Sequence, residues 1–327
     1  MPKSIDLTAA RHLLQTRDDL IVAGRTEREI EALVAGGVIR RVRRGQYVDA
    51  GNWDDLWNEG RHLLQVLAVH RNSSTPGPVF WGPSAAVLHG LPLYRLAPKN
   101  VHTVIPGARH GRSRADVVWH NVNITEADIV EFDGIRFTSL DRTVLDLACS
   151  TSQPTGLSAA DAALRSEAVH RHEQDPELAA HWRARLSHRA ERISVRGIRK
   201  ARDVIAFADG RAQLPGESVS RLHLRELGFR DVLLQVHVVG PDSEDYWLDF
   251  GFPRSRAFGE FDGEGKYLDP ALRNGRTLDE VLLDEKHRED AVRGVTGWRT
   301  GRWGSGHIKS PESLAARLHA FGIRPPG

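Results

Sequence analysis

The chain of 327 residues has one cysteine, Cys149, and one methionine. A single cysteine excludes intramolecular disulfides and any zinc site built on thiolates. Lysine is scarce as well: only six of the 45 basic residues are lysine, so arginine carries the positive charge. Arginine suits bidentate contacts to phosphate and guanine, and a GC-rich genome produces the same bias. No uncharged apolar run approaches the roughly 20 residues needed to cross a bilayer. The opening MPKSIDLTAARHLLQ lacks the apolar core of a signal peptide. Both absences lead us to expect a cytoplasmic protein with no membrane partner. Net charge is only +2, so any nucleic-acid surface must arise from local clustering. What is present is ordinary globular material, 40% apolar and 27% charged, with length enough for two or three domains.

Residues 1–52 read as short helices followed by a basic hairpin. The pattern predicts helices over Leu7–Gln15, Asp18–Val22 and Thr26–Ala35, the last with Thr26 and Glu29 as a capping box. VIRRVRRGQYV, Val38–Val48, then alternates apolar and basic positions, with Gly45 at the turn. This order is that of a winged helix-turn-helix. Arg40, Arg41, Arg43 and Arg44 would form the wing beside the phosphates of double-stranded DNA, and Arg25, Thr26 and Arg28 would approach bases. Glu27, Glu29 and Glu31 on the same helix oppose that reading, and a helical cap with a solvated arginine strand is the alternative.

Residues 53–206 predict an α/β region and an arginine-rich helical linker. Helices are expected at Leu56–Val69 and Ser84–His89, and strands at Val79–Trp81, Val101–Ile105 and Asp116–His120. Ile129–Phe132 and Ile135–Thr138 form a hairpin about Asp133–Gly134, with Thr138 and Asp141 capping a helix Ser139–Cys149. His89 and His120 read as satisfied lone histidines. Asp141, Arg142 and Asp146 read as ion pairs at helical spacing. Residues 158–206 read as helical throughout.

Residues 207–327 hold the stretch with the most chemistry. DYWLDFGFPRSRAFGEFDGEGKY predicts strands Asp245–Phe252 and Ala257–Asp262 joined at Pro253–Arg256. A turn centred on Arg254 and Ser255 sets Asp249 directly opposite Glu260. Glu260 and Asp262 share a strand face, so three acids are expected on one patch, with Lys266 just beyond. Repelling carboxylates of this kind call for a cation, and hard oxygen ligands that leave room for water suit Mg²⁺, with Mn²⁺ as the alternative. A solvated edge strand guarded by charge is the competing explanation, against which stand Trp247, Leu248, Phe250, Phe252, Phe258 and Phe261.

Two resemblances follow from these motifs. Glu217 in PGESVSRLHLRELG, Asp249 in WLDFGFP and Glu260 in GEFDGEGKY resemble the PD-(D/E)XK nuclease superfamily, in the branch related to very-short-patch repair endonucleases. The likeness runs from Phe207 to the C-terminus. It implies a restriction-endonuclease-like fold in which Asp249, Glu260 and Glu217 hold Mg²⁺ for phosphodiester hydrolysis, and such enzymes often act as homodimers. Asp262 stands where many relatives carry the motif lysine, a departure that leaves the role of Lys266 open between a replacement for that lysine and a surface lysine after the turn. Gly37 to Tyr47 (G-x-I-x-R-x-x-R-G-x-Y), with GPSAAVLHGLPL and TSLDRTVLDLA, resembles AbiEi-type antitoxins of type IV toxin–antitoxin systems. That likeness implies a repressor with a cognate toxin and operon as partners. The sequence therefore predicts a multidomain α+β and α/β protein. Its expected function is that of a Mg²⁺-dependent DNA endonuclease, or else a non-catalytic antitoxin-like repressor with the nuclease-like domain as scaffold.

Overall fold

The computed structural model describes residues 3–74, 77–104, 115–263 and 277–325. The chain is a mixed α+β protein of two compact units: Met1–Thr151 with Val195–Ile198, and Ser152–Ser194 with Arg199–Gly327. Among the described residues no helix is long and apolar enough to cross a membrane.

The first unit opens with α1 (Leu7–Leu13), β1 (Gln15–Thr16), α2 (Arg17–Val22), α3 (Glu27–Ala35), β2 (Ile39–Arg43) and β3 (Gln46–Asp49). Thr16 with Asp19 and Thr26 with Glu29 form reciprocal capping boxes at the starts of α2 and α3. Each satisfies two of the backbone groups that a helix end leaves open. The strands pair in the order β1-β3-β2, and Leu20, Ile30, Ile39 and Tyr47 close the core beneath them.

The rest of the unit comprises α4 (Ala50–Asp54), α5 (Asn58–Arg71), β4 (Val79–Phe80), α6 (Pro83–Leu88), β5 (Val101–Val104), β6 (Val117–His120), β7 (Ile129–Phe132), β8 (Ile135–Thr138) and α7 (Leu140–Ser150). Its strands form one sheet, β6-β5-β4-β8-β7. The β7–β8 hairpin has the expected bounds, with Asp133 and Gly134 both at positive φ, as a tight two-residue turn requires. The expected capping box at α7 does not form. Ser139 is the N-cap, without a side-chain hydrogen bond. Thr138 is buried, and its hydroxyl lies 2.8 Å from that of Thr143. Arg142 bonds Asp146, Asp128 and the Asn123 carbonyl, so the helical ion pair read from the sequence is present.

The second unit begins with α8 (Gln153–Ala168), β9 (Val169–His170), β10 (Glu173–Gln174), α9 (Pro176–Glu191), α10 (Ile198–Phe207) and α11 (Pro215–Glu226). It continues with β11 (Leu233–Val239), β12 (Asp245–Phe252), β13 (Ala257–Asp262), α12 (Leu278–Thr296), β14 (Arg299–Gly304) and α13 (Pro311–Ala320). The sheet order is β11-β12-β13-β14, antiparallel except for the parallel pair β13–β14. Of the helices that the sequence grouped with the middle region, α9 packs against α8, α10 meets α11 through the ion pair Arg225–Asp203, and α8 packs against α11. The tie is a buried ion pair, Arg221 Nη1 to Asp161 Oδ2 at 2.7 Å. The arginine-rich surface of this stretch is partly committed: Arg183 and Arg202 donate to the Ala208 and Ala190 carbonyls, and Arg185 pairs with Glu167.

Candidate functional site

The β12–β13 register is the one the sequence dictates: Phe250 faces Gly259, Gly251 faces Phe258 and Phe252 faces Ala257. A 3₁₀ turn at Pro253–Ser255 makes the reversal, ending on Arg256 in the left-handed region. Continued by one step, this register sets Asp249 against Glu260. Their side chains nonetheless go to opposite sides of the sheet.

The cause lies in the neighbouring strand. Pairing between β11 and β12 is regular except at Gln235 and Asp249, where Gln235 takes φ 47. Leu248 packs with Phe258 and Val292 of α12, whereas Phe250 meets Trp303, whose indole N–H donates to Ser220 of α11. Residues two apart on a regular strand share a face, so the alternation breaks between Leu248 and Phe250. Asp249 is carried over to the α11 side. Its Oδ2 accepts from the Phe261 N–H at 2.9 Å. Glu260 stays two residues from Phe258 on the α12 side.

Glu217 and Asp249 are thus brought together, and Glu260 and Asp262 are not part of that group. Glu217 sits on the first turn of α11 and is buried. Its Oε2 accepts from the Gln213 N–H at 2.8 Å, and Gln235 Nε2 lies 3.5 Å from both Glu217 Oε2 and Asp249 Oδ1. Burial first, and the Asp249 charge second, push the Glu217 carboxyl up to about 8. Desolvation disfavours the charged form and a neighbouring carboxylate adds to that penalty. A bound cation would reverse both effects.

Glu260 meets Arg288 Nη2 at 2.5 Å and Arg302 Nη2 at 3.2 Å. Arg302 also approaches Glu285 at 2.5 Å and Asp262 at 3.8 Å. The expected patch of three acids is therefore divided by the sheet, and Arg288 and Arg302 pair with the part that holds Glu260 and Asp262. Among the described residues no group of three or more His, Cys, Asp or Glu side chains is arranged to hold a metal. Lys266 lies outside the described residues.

Two participants were not foreseen. His172 Nδ1 lies 2.9 Å from Gln213 Nε2 and 3.1 Å from Gln235 Oε1, and Gln213 Nε2 donates to Gln235 Oε1 at 2.9 Å. His172 stands at the tip of the β9–β10 hairpin, where His170 pairs with Glu173 across a two-residue loop. That stretch reads as helix by composition. The available signal was Asp175–Pro176, an N-cap followed by proline at the first helical position, which marks a new helix start and so a break before it.

The glycine before Glu217 serves the same site. A Cβ on Gly216 would stand 2.0 Å from Phe261 Cζ. Gly216→Ala should therefore displace the residue whose N–H holds Asp249. We expect a destabilisation of about 1–3 kcal/mol by overpacking, with a larger loss of function than the neighbouring Ser218→Ala, read by thermal melting beside activity.

In the first unit Arg25, Arg28, Arg40, Arg41 and Arg44 are exposed. Arg40 lies over Trp53 and Arg41 over Tyr47. Arg43 is ion-paired with Asp116. The Thr26 side chain is engaged in its capping box with Glu29.

No family model matches the chain. It is similar to two proteins of Mycobacterium tuberculosis, the uncharacterized protein MT2308 of strain CDC 1551 / Oshkosh and the uncharacterized protein Rv2248 of strain ATCC 25618 / H37Rv. Each is 28% identical over 276 residues, covering 81% of this chain and 93% of the relative. The similarity spans more of the chain than either unit alone supplies.

Proposed function

We propose that the chain is a DNA-binding protein whose second unit hydrolyses phosphodiester bonds with a divalent cation held by Glu217 and Asp249. The observation that carries this reading is the pairing of a buried Glu217 with Asp249. Two carboxylates facing one another in a desolvated site are a standing cost that a proton or a cation relieves. One or two carboxylates, with water and substrate phosphate completing the shell, are a donor set that suits Mg²⁺, and Mn²⁺ fits the same oxygens. When bound, the ion would supply charge neutralisation at the scissile phosphate and acidify water. The chain's own part is to hold the acids still. Gln213 N–H fixes Glu217, Phe261 N–H fixes Asp249, and the Gln235 amide lies between them. The likeness of Glu217 and Asp249 to the PD-(D/E)XK pattern supports the same reading.

A helix, a strand, two capped helices and a basic hairpin in the order β1-β3-β2 support a winged helix-turn-helix in the first unit. Its exposed Arg40, Arg41 and Arg44 would serve duplex phosphates. Each lost phosphate contact lowers the slope of log K against log salt by about 0.9. The triple alanine variant is therefore expected to lose about 2–3 units of slope, measured by fluorescence anisotropy on duplex DNA. Arg43→Ala, by contrast, removes the partner of Asp116 and should affect stability rather than slope.

The second reading is an AbiEi-like repressor, with a toxin or its own operon as partner and the second unit as scaffold. It is favoured by the arginines that occupy Glu260 and Asp262. Cleavage of supercoiled plasmid and of short oligonucleotides in Mg²⁺, Mn²⁺ or EDTA separates the two. Metal-dependent nicking that falls by about a hundredfold or more in Asp249→Asn, with DNA binding retained, is the expected result. Tight binding by the wild type without any cutting would replace the nuclease with the repressor.

A further inference from the structure

Beside the acid pair stands a column of three aromatic rings. His172 stacks on Trp247 with centroids 4.4 Å apart and planes 10° apart. His237 stacks on Trp247 at 4.6 Å and 24°. His237 and Trp247 are register partners on β11 and β12, and Trp247 lies two residues before Asp249 on β12. The column begins at the acids, because His172 touches Gln235, which lies between Glu217 and Asp249. It ends in water at His237, whose side chain is 41% exposed, with Nε2 held 2.5 Å from Asp245 Oδ1. That contact fixes the ring by its edge.

The second observation is backbone strain. Arg171, beside His172 at the hairpin tip, takes φ 55, and Gln235 takes φ 47. Non-glycine residues in the left-handed region are strained and persist where the surroundings impose them. Here one delivers His172 to the Trp247 ring, and the other turns Gln235 and Asp249 out of the sheet's alternation. The same hairpin tip leaves Arg171 exposed, one residue before His172 in the chain. Planar rings beside a pair of carboxylates form a pattern that matches a nucleotide with its base unstacked. A base inside a duplex offers no free face to such a column.

We propose that the His172–Trp247–His237 column is a stacking platform for an unpaired nucleobase, and that single-stranded DNA is the form the second unit takes. The inference deepens the phosphodiesterase reading and rests on it for its purpose, but the platform is tested by binding alone. Stacking of one base on an aromatic ring is worth about 1–3 kcal/mol and tolerates any sequence.

The experiment uses the full chain in EDTA with fluorescent 12-mers: single-stranded DNA, the same sequence as a duplex, and single-stranded RNA. His237→Ala is expected to weaken single-stranded DNA about tenfold, leaving the duplex within about twofold. His237→Phe, which keeps a ring, is expected to retain the wild-type affinity. Equal losses for duplex and single strand, no loss for either, or a Phe variant as weak as Ala would each overturn the platform. Tighter binding of RNA than of DNA would overturn the assignment of DNA. Photo-crosslinking of a 5-iodouracil 12-mer to the wild type guards against misfolded variants: the adduct is expected on His237 or Trp247, and an adduct confined to other residues overturns the proposal. Wild-type protein that shows this ring-dependent binding yet never cuts in Mg²⁺ or Mn²⁺ would remove the phosphodiesterase and leave the platform standing. Cutting with ring-independent binding would do the reverse.

Discussion

Glu217→Gln is expected to stabilise the second unit at pH 8 by on the order of 4 kcal/mol while leaving its stability at pH 4.5 nearly unchanged. In the folded chain the Glu217 carboxyl is pushed from its ordinary 4.5 up to about 8, by burial and then by Asp249. Between those two values the folded state holds a proton that the unfolded chain has released. Stability from this group is therefore complete below 4.5 and is lost as pH rises towards 8. Glutamine keeps the shape and the amide-like hydrogen bonding without the titration, so its curve should lack this fall. For a unit of this size the difference corresponds to about 8–16 °C in Tm near pH 8, readable by circular dichroism in EDTA. Melting curves that stay parallel across pH 4.5–8.5 would mean that the acid pair is not strained.

The same variant bears on the cation. An ion that binds only the folded chain stabilises it by about 2.7 kcal/mol at a hundredfold excess over Kd. Mg²⁺ at pH 8 should thus raise the wild-type Tm and hardly move the variant, and cleavage should vanish with the shift. A wild type indifferent to Mg²⁺ and Mn²⁺ would separate a strained carboxyl pair, which the structure contains, from a metal centre, which is the proposal.

What was legible in the sequence follows from how local each signal is. The Thr26–Glu29 box, the Asp133–Gly134 turn and the bounds of Asp245–Phe252 and Ala257–Asp262 depend on residues within a few positions of one another, and all appear where expected. The register of the paired residues of β12 and β13, Phe250 with Gly259 to Phe252 with Ala257, was legible for the same reason. The destination of the Asp249 and Glu260 side chains was not. It depends on the conformation of Gln235, a residue on another strand with no glycine or proline to mark it. Thr138 was misread as a cap because burial beside Thr143 offers its hydroxyl a partner that no spacing rule reveals. His172 was missed because a two-residue hairpin between helices α8 and α9 is shorter than the window over which periodicity declares itself. Local chemistry thus located the acids, and long-range packing decided which of them meet.

Packing of that kind also predicts the largest loss of stability. Arg221 lies one helical turn beyond Glu217 on α11, and its guanidinium bonds both Asp161 and the Phe207 carbonyl. Asp161 is fully enclosed, and burial raises its carboxyl to about 6 against the opposing pull of Arg221. Arg221→Met leaves that carboxylate without its cation and is expected to cost about 3–5 kcal/mol, as breaking one side of a buried pair does. The penalty should grow as pH rises above 6, because the stranded acid then has to ionise in an apolar setting. Asp161→Leu combined with Arg221→Met removes both charges and should recover most of the loss, since apolar replacement of a buried pair is often close to neutral. Urea denaturation at pH 5.5 and 8 measures both effects. If the double variant regains stability but not cleavage, the ion pair orients α11 and with it Glu217. If cleavage returns with stability, the pair serves the fold alone, and the position of Glu217 is set by Gln213 and by the close approach of Gly216 to Phe261.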